Sequence, residues 1–150
     1  MSKPSTELLK LENQLCFQFY SASRLMTKLY QPLLKPLGLT YPQYLVMLVL
    51  WEQDMGYKFT VTELGHRLKL DSGTLTPLLK RLEGKRLLQR QRSSDDERQV
   101  WVRLTPLGES LKQQARRIPE RLMCETRVDL DELTTLRELM KKLFGDKQID

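Results

Sequence analysis

The residues of this sequence best suited to covalent or metal chemistry are the thiols of Cys16 and Cys124 and the single imidazole, His66. A cysteine works as nucleophile, metal ligand or oxidisable group through its thiolate. Zinc binding is disfavoured, because two distant sulfurs and one isolated histidine give no ligand spacing. A hydrolytic triad is disfavoured too, since no base-and-acid pair accompanies either sulfur. Two cysteines without a C-x-x-C pair do not make a disulfide scaffold, so both are expected as thiols in a reducing compartment. Oxidation is open to them, and so is plain packing. Cys16 lies on a helical apolar stripe and Cys124 beside Met123, and a free cysteine often serves as a small buried hydrophobe. One turn from Cys16 stand Glu12, Asn13, Phe19 and Tyr20, which supply no local cation.

The chain that must position these groups has 150 residues and 40% apolar content, enough for one domain with a real core. Glu7, Lys10 and Glu12 interrupt the leucines of the first twenty residues. Neither a signal peptide nor a membrane span is therefore expected, and the expected location is the cytoplasm. Net charge is +6, and residues 60 to 105 hold ten Lys/Arg against six Asp/Glu, which places +4 of it in the middle. Phosphate backbones attract such a surface, although a modest excess is equally well a solvated face.

Apolar residues at Leu8, Leu11, Leu15, Ala22, Leu25, Met26 and Leu29 recur with helical period, which predicts one long first helix over 6–30 that stops against Pro32. Thr40 followed by Gln43 matches a capping box, ahead of a buried helix over 44–51. Thr60 and Glu63 form a second box for a short helix running to about Lys69. After a tight turn, Asp71, Ser72 and Thr74 offer caps for another helix, with Leu75, Leu78, Leu79 and Leu82 at i, i+3, i+4 and i+7. Pro77 predicts a late start or a kink there. The opposite face carries Gly73, Thr76, Pro77, Lys80 and Gly84, edged by Thr74 and Arg81, and such a face can lie in a major groove.

From Leu88 to Leu104 the period changes to two around the turn Ser93-Ser94-Asp95-Asp96, which predicts a β-hairpin. Its arms and tip bear Arg90, Arg92, Arg98 and Arg103, able to follow phosphates or to place an arginine in a minor groove. Thr105-Pro106 starts a further helix interrupted near Pro119, and Asp129 with Glu132 opens a last one, which ends at Gly145. The expected fold is mainly α with a small β-hairpin wing: a winged helix-turn-helix region with long terminal helices whose apolar stripes call for a partner subunit to cover them.

These residues resemble the multiple antibiotic resistance regulator (MarR) family of winged-helix dimers. Asp96-Glu97-Arg98, then Val100, Val102 and Leu104-Thr105-Pro106-Leu107-Gly108, are similar to its wing and the exit from it. The stretch from Leu70-Asp71-Ser72-Gly73 to Lys80-Arg81-Leu82-Glu83, and Cys16 with Tyr20 and Tyr30, resemble the organic hydroperoxide resistance regulator branch, in its two-cysteine subgroup. The resemblance implies a single chain over 1–150, with dimerisation helices over 6–38 and 106–150 flanking a DNA-binding region over 40–105.

It further implies a homodimeric repressor, not an enzyme, that needs no cofactor and binds double-stranded operator DNA. Ser72, Gly73, Thr74, Thr76, Pro77, Lys80, Arg81 and Arg90 would face the DNA, Arg98 would reach the minor groove, and Asp96 would orient that arginine. An organic hydroperoxide would oxidise Cys16, lined by Tyr20, Tyr30 and Tyr41, and Cys124 of the other subunit would then form a disulfide with it and release the DNA. Beside the resemblance, Phe17, Phe19 and Met26 are core candidates that could also favour oxidants with apolar tails.

Tyr30 lies fourteen residues from Cys16, about 21 Å along an unbroken helix, so within one chain they cannot meet. If two first helices cross antiparallel about Ala22-Ser23, position 16 of one faces position 30 of the other. Three other readings stay open: a regulator gated by a phenolic or other small ligand with incidental cysteines, a thiol peroxidase, and a winged helix whose Lys80, Arg81 and Arg98 are merely solvated.

Overall fold

The computed structural model describes residues 5–145. Helix α1 (Ser5–Leu8) and a 3-10 turn (Leu11–Asn13) precede α2 (Leu15–Leu34), a second 3-10 turn (Lys35–Leu37) and α3 (Tyr41–Trp51). Strand β1 (Lys58–Thr60), α4 (Val61–Leu68) and α5 (Ser72–Gly84) follow, then β2 (Leu88–Arg92) and β3 (Val100–Leu104). The chain closes with α6 (Pro106–Ala115), α7 (Ile118–Glu125) and α8 (Leu130–Phe144); residues 146–150 of the expected C-terminal segment lie outside the described residues.

Capping chemistry sets most helix starts. In α3 the Thr40 hydroxyl accepts the Gln43 N–H at 3.4 Å while Gln43 Oε1 accepts the Thr40 N–H at 3.1 Å. The same reciprocal pair joins Thr60 and Glu63 at α4 and Asp129 and Glu132 at α8. Each box satisfies N–H groups that a helix end leaves without partners. Lys69 ends α4 in a left-handed conformation, φ 54°, and the turn to α5 is short.

Leu75, Leu79 and Leu82 bury the inner face of α5 in a core with Tyr44, Met47, Leu50, Leu64, Leu88 and Val102, and Leu78 is buried beside them on the same helix. Ala115 and Ile118 extend this core under α6 and α7, and Leu34 extends it to the end of α2. Burial of this stripe orients α5, since its opposite face is then fixed toward solvent.

Three expectations need correction. The first helix is broken: Gln14 is extended (φ −86°, ψ 106°), its amide donates to the carbonyls of Leu8 and Lys10, and Asn13 donates to the Glu7 carbonyl at 2.8 Å. Side-chain amides thus take backbone acceptors that a continuous helix would use. Nor does Pro32 stop α2, which runs on to Leu34, because the hydrogen bond that a proline forfeits falls in the last turn. Helix α5 likewise starts on time at Ser72, with Pro77 inside it.

The hairpin is part of a three-stranded antiparallel sheet in the order β1-β3-β2. Arg90 pairs with Val102 on one side of β3, and Phe59 pairs with Val102 on the other. Outside the core, Leu8, Leu9, Leu15 and Leu25 near the N-terminus and Leu130, Leu136, Leu139 and Leu143 on α8 stand exposed. No single helix among the described residues is long and apolar enough to cross a membrane.

Candidate nucleic-acid interface and thiol site

Asp71 caps α5 by accepting the Thr74 N–H and the Thr74 hydroxyl, each at 2.8 Å. The Thr74 hydroxyl, and next its N–H, hold the Asp71 carboxyl below its ordinary range. With the leucine stripe buried, Ser72, Gly73, Thr74, Pro77, Lys80 and Arg81 all face solvent and Thr76 is half-buried. One continuous face of small, hydroxylated and cationic side chains results, of a size to fit a groove that admits a helix.

Across the sheet, the four hairpin arginines divide into two pairs. Arg90 is held by Glu83 of α5: its N–H reaches Glu83 Oε1 at 2.8 Å, and its guanidinium reaches Oε2 at 2.9 and 2.7 Å. These donors, the backbone N–H of Arg90 first, keep the Glu83 carboxyl below its ordinary range although burial pushes it the other way. Glu83 thus ties Arg90, expected at the DNA, between α5 and β2. Arg103 donates twice to Gln89 across the strands, at 3.0 and 2.7 Å. The guanidinium groups of Arg92 and Arg98 are exposed and have no partner among the described residues.

Asp96 meets Arg98 at its backbone. Its carboxylate accepts the backbone N–H of Arg98 at 3.0 Å, and no ion pair joins it to the Arg98 guanidinium among the described residues. This bond fixes the backbone at Arg98 on the wing tip. Arg92, at the end of β2 and two residues after Arg90, shares a strand face with the arginine that Glu83 ties down.

Because α2 starts at Leu15, Cys16 is its second residue, ahead of the first intrahelical bond from the Gln18 N–H to the Gln14 carbonyl at 3.2 Å. Its side chain is exposed. A helix continuous over 6–30 would instead have placed Cys16 in mid-helix. Cys124 is also exposed, in the last turn of α7, which packs against α2.

Tyr30 and Tyr41 meet across the α2–α3 turn with ring centroids 4.7 Å apart, and Tyr44 joins Tyr30 at 5.7 Å. Burial, then the neighbouring phenols Tyr41 and Tyr44, push Tyr30 up to about 12, and burial raises Tyr41 and Tyr44 too. The sequence reading missed Tyr44, although its i, i+3 spacing from Tyr41 on α3 signals a shared face.

Tyr20 stands apart, exposed, with the Arg24 guanidinium 5.6 Å from its ring centre, and the ten residues to Tyr30 span about 15 Å of helix. The structure thus groups Tyr30 with Tyr41 and brings neither Tyr20 nor Cys16 to them within one chain. Phe19 packs edge-on against Phe144 at 5.3 Å. His66 is exposed in the last turn of α4, and no metal-binding cluster occurs among the described residues.

Comparison with known proteins supplies context for this geometry. A family model described as transcriptional regulator SarA/Rot matches residues 28–118. The organic hydroperoxide resistance transcriptional regulator of Bacillus subtilis (strain 168) is 47% identical over 136 residues, covering 91% of this chain and 90% of that protein. Reduced AbfR bound to DNA superposes with a TM-score of 0.77 at 35% identity, covering 94% of this chain and 96% of that one. Disulfide-formed AbfR superposes with a TM-score of 0.64 at 36% identity, over 93% and 96% of the two chains; AbfR comes from Staphylococcus epidermidis. Wild-type MarR from E. coli, in its apo form, gives a TM-score of 0.65 at 28% identity over 88% and 97%.

Proposed function

Because this chain belongs to the family of SarA/Rot and MarR-type winged-helix transcriptional regulators, we propose that it binds operator DNA as a homodimer and releases it when an organic hydroperoxide oxidises Cys16. The family consists of regulators rather than enzymes, which removes the thiol peroxidase reading. The observation that carries the proposal is the exposed thiol of Cys16 in the first turn of α2, in a chain 47% identical to a hydroperoxide resistance regulator.

In the DNA-binding state, the exposed face of α5 lies in a major groove while Arg98 and Arg92 on the wing engage the adjacent backbone and minor groove. Residues 40–105 form the reading region. Residues 6–38 and 106–150 supply the dimer interface, which covers the apolar side chains left exposed on α2 and α8. Half-sites then sit about 34 to 36 Å apart, the spacing of one helical turn.

On oxidation, the Cys16 thiolate attacks one oxygen of the hydroperoxide, the O–O bond breaks, and the alkoxide leaves and takes up a proton as the alcohol. Sulfur loses two electrons and becomes sulfenic acid. The thiol of Cys124 from the other copy then attacks that sulfur, water leaves, and an intersubunit disulfide forms. Closing it requires Cα atoms within about 7 Å, so the helices that carry the two sulfurs must come together. Tyr30 and Tyr41 of the other copy donate to the reacting sulfur through neutral phenols.

The test uses a duplex selected by the protein from a random pool. Binding is measured with and without cumene hydroperoxide for the parent, Cys16→Ser and Cys124→Ser, with non-reducing electrophoresis alongside. Release by the parent, none by Cys16→Ser, and a dimer band lost in Cys124→Ser are expected. Release that survives in Cys16→Ser would overturn the thiol mechanism and favour a ligand-gated regulator.

A further inference from the structure

The turn that ends the recognition helix α5 is held from two sides. Lys85, its C-cap, sends its ammonium into the turn between α2 and α3, donating to the Gly38 carbonyl and, at 3.1 Å, to Gln43 Oε1. Gln43 is buried, and the same oxygen accepts the Thr40 N–H at 3.1 Å, so the ammonium is tied into the capping box that starts α3. From the other side Thr105, the N-cap of α6, donates its hydroxyl to the Arg86 carbonyl at 2.6 Å and its N–H to the Leu87 carbonyl at 3.2 Å. Arg86 between these anchors is left-handed, φ 61°, a conformation that a residue with a side chain keeps only where its surroundings enforce it.

The two anchors lead to different cysteines. Helix α2 carries Cys16 and ends at Leu34, the 3-10 turn Lys35–Leu37 leads from it to Gly38, and the Tyr30–Tyr41 pair spans that same connection. Helix α6 begins after Thr105 and leads through α7 to Cys124. We infer that residues 85–87 are the joint through which a displacement of either cysteine-bearing segment reaches the recognition helix, with Lys85 and Thr105 as its positioning residues. This inference rests on the redox reading above and names how that reading is transmitted. When α2 shifts, the 3-10 turn that follows it carries Gly38 and the start of α3 along, and with them the acceptors of the Lys85 ammonium. When α6 and α7 shift, Thr105 moves the carbonyls that follow α5. Neither link requires a cysteine to touch the DNA-binding region.

Two variants separate this role from a DNA contact. Lys85→Met keeps the alkyl stem and removes the ammonium. Thr105→Asp keeps an acceptor for the Gly108 N–H, which Thr105 now binds at 3.0 Å, but has no hydroxyl to donate to Arg86. Full-length reduced and cumene hydroperoxide-oxidised proteins are titrated onto the selected duplex over a range of salt. Disulfide yield and thermal melting are followed in parallel.

The ratio of oxidised to reduced Kd is expected to shrink at least about tenfold in each variant, within the usual range of coupling between sites. The disulfide should still form, the reduced protein should keep its salt slope, and Lys85→Arg should restore the ratio. An unchanged ratio in both variants overturns the proposal. So does a preserved ratio with the salt slope of Lys85→Met lowered by about 1, which marks a phosphate contact. Should Lys85→Met fail to fold, Thr105→Asp carries the same comparison, with Lys85→Arg as its parent-like control. Absence of peroxide-dependent release in the parent sinks the redox reading and this joint together, whereas release in the parent with unaltered variants sinks the joint alone.

Discussion

Cys16 and Tyr30 occupy one uninterrupted helix, fourteen residues and about 21 Å apart, so the phenol can serve the thiol only from a second copy of the chain. Tyr30→Phe is expected to slow Cys16 oxidation by cumene hydroperoxide about tenfold, the effect of one hydrogen bond to a charged group. Mixed dimers of Tyr30→Phe with Cys16→Ser make the point sharper. Each contains one complete site if the site is shared, and stopped-flow thiol loss should recover the parental rate there; a site within one chain would show only the slow rate.

Burial and its phenol neighbours push Tyr30 up to about 12 from an ordinary 10.0. A group raised on folding contributes stability that is complete below its unfolded pKa and lost as pH climbs through the folded one. The phenol cluster is thus expected to support the fold fully below about pH 10 and to lose that support between about 10 and 12. Denaturant midpoints over this range should fall less steeply in Tyr30→Phe; an identical fall would refute the assignment.

The Glu83–Arg90 pair predicts a contrast on DNA. Arg90→Met is expected to lower stability by about 1–2 kcal/mol, a value discounted for partial exposure, and to leave the salt slope of binding alone. Arg98→Ala should lower that slope by about 1 at nearly unchanged stability. Titrations at graded salt with parallel melts decide it, and equal slope changes in the two variants would place Arg90 among the DNA contacts.

Gly108 lies where a Cβ would collide with the Leu87 carbonyl. Gly108→Ala should therefore destabilise by about 1–3 kcal/mol, because the obstacle is backbone and cannot rotate away. Trp51, whose indole N–H donates to the Gly108 carbonyl at 3.0 Å, offers a fluorescence signal for the unfolding midpoint.

Much of this architecture was legible from caps and stripes. Thr40 with Gln43, Thr60 with Glu63, Asp129 with Glu132 and the leucines of α5 act within a turn or two of chain, so their meaning is local. What escaped is what depends on distant or competing partners. Strand β1 has three residues and exists only because Trp101, Val102 and Arg103 pair with it. The break at Gln14 comes from amide side chains that outcompete a helix whose apolar period continues through them. Of the site residues, the outward face of α5 followed from its buried leucines. The engagement of Arg90 by Glu83 needed the packing of a strand on a helix.

The capping of α5 reaches into base recognition. Thr74 spends its hydroxyl proton on Asp71, so toward a groove it offers only lone pairs. Among major-groove edges, amino groups answer an acceptor: N6 of adenine and N4 of cytosine, whereas guanine and thymine present oxygens there. In the groove placement proposed above, Thr74 would meet an amino group on one strand or the other of the facing base pair, and the residue that fixes this polarity is Asp71, which need not contact the DNA.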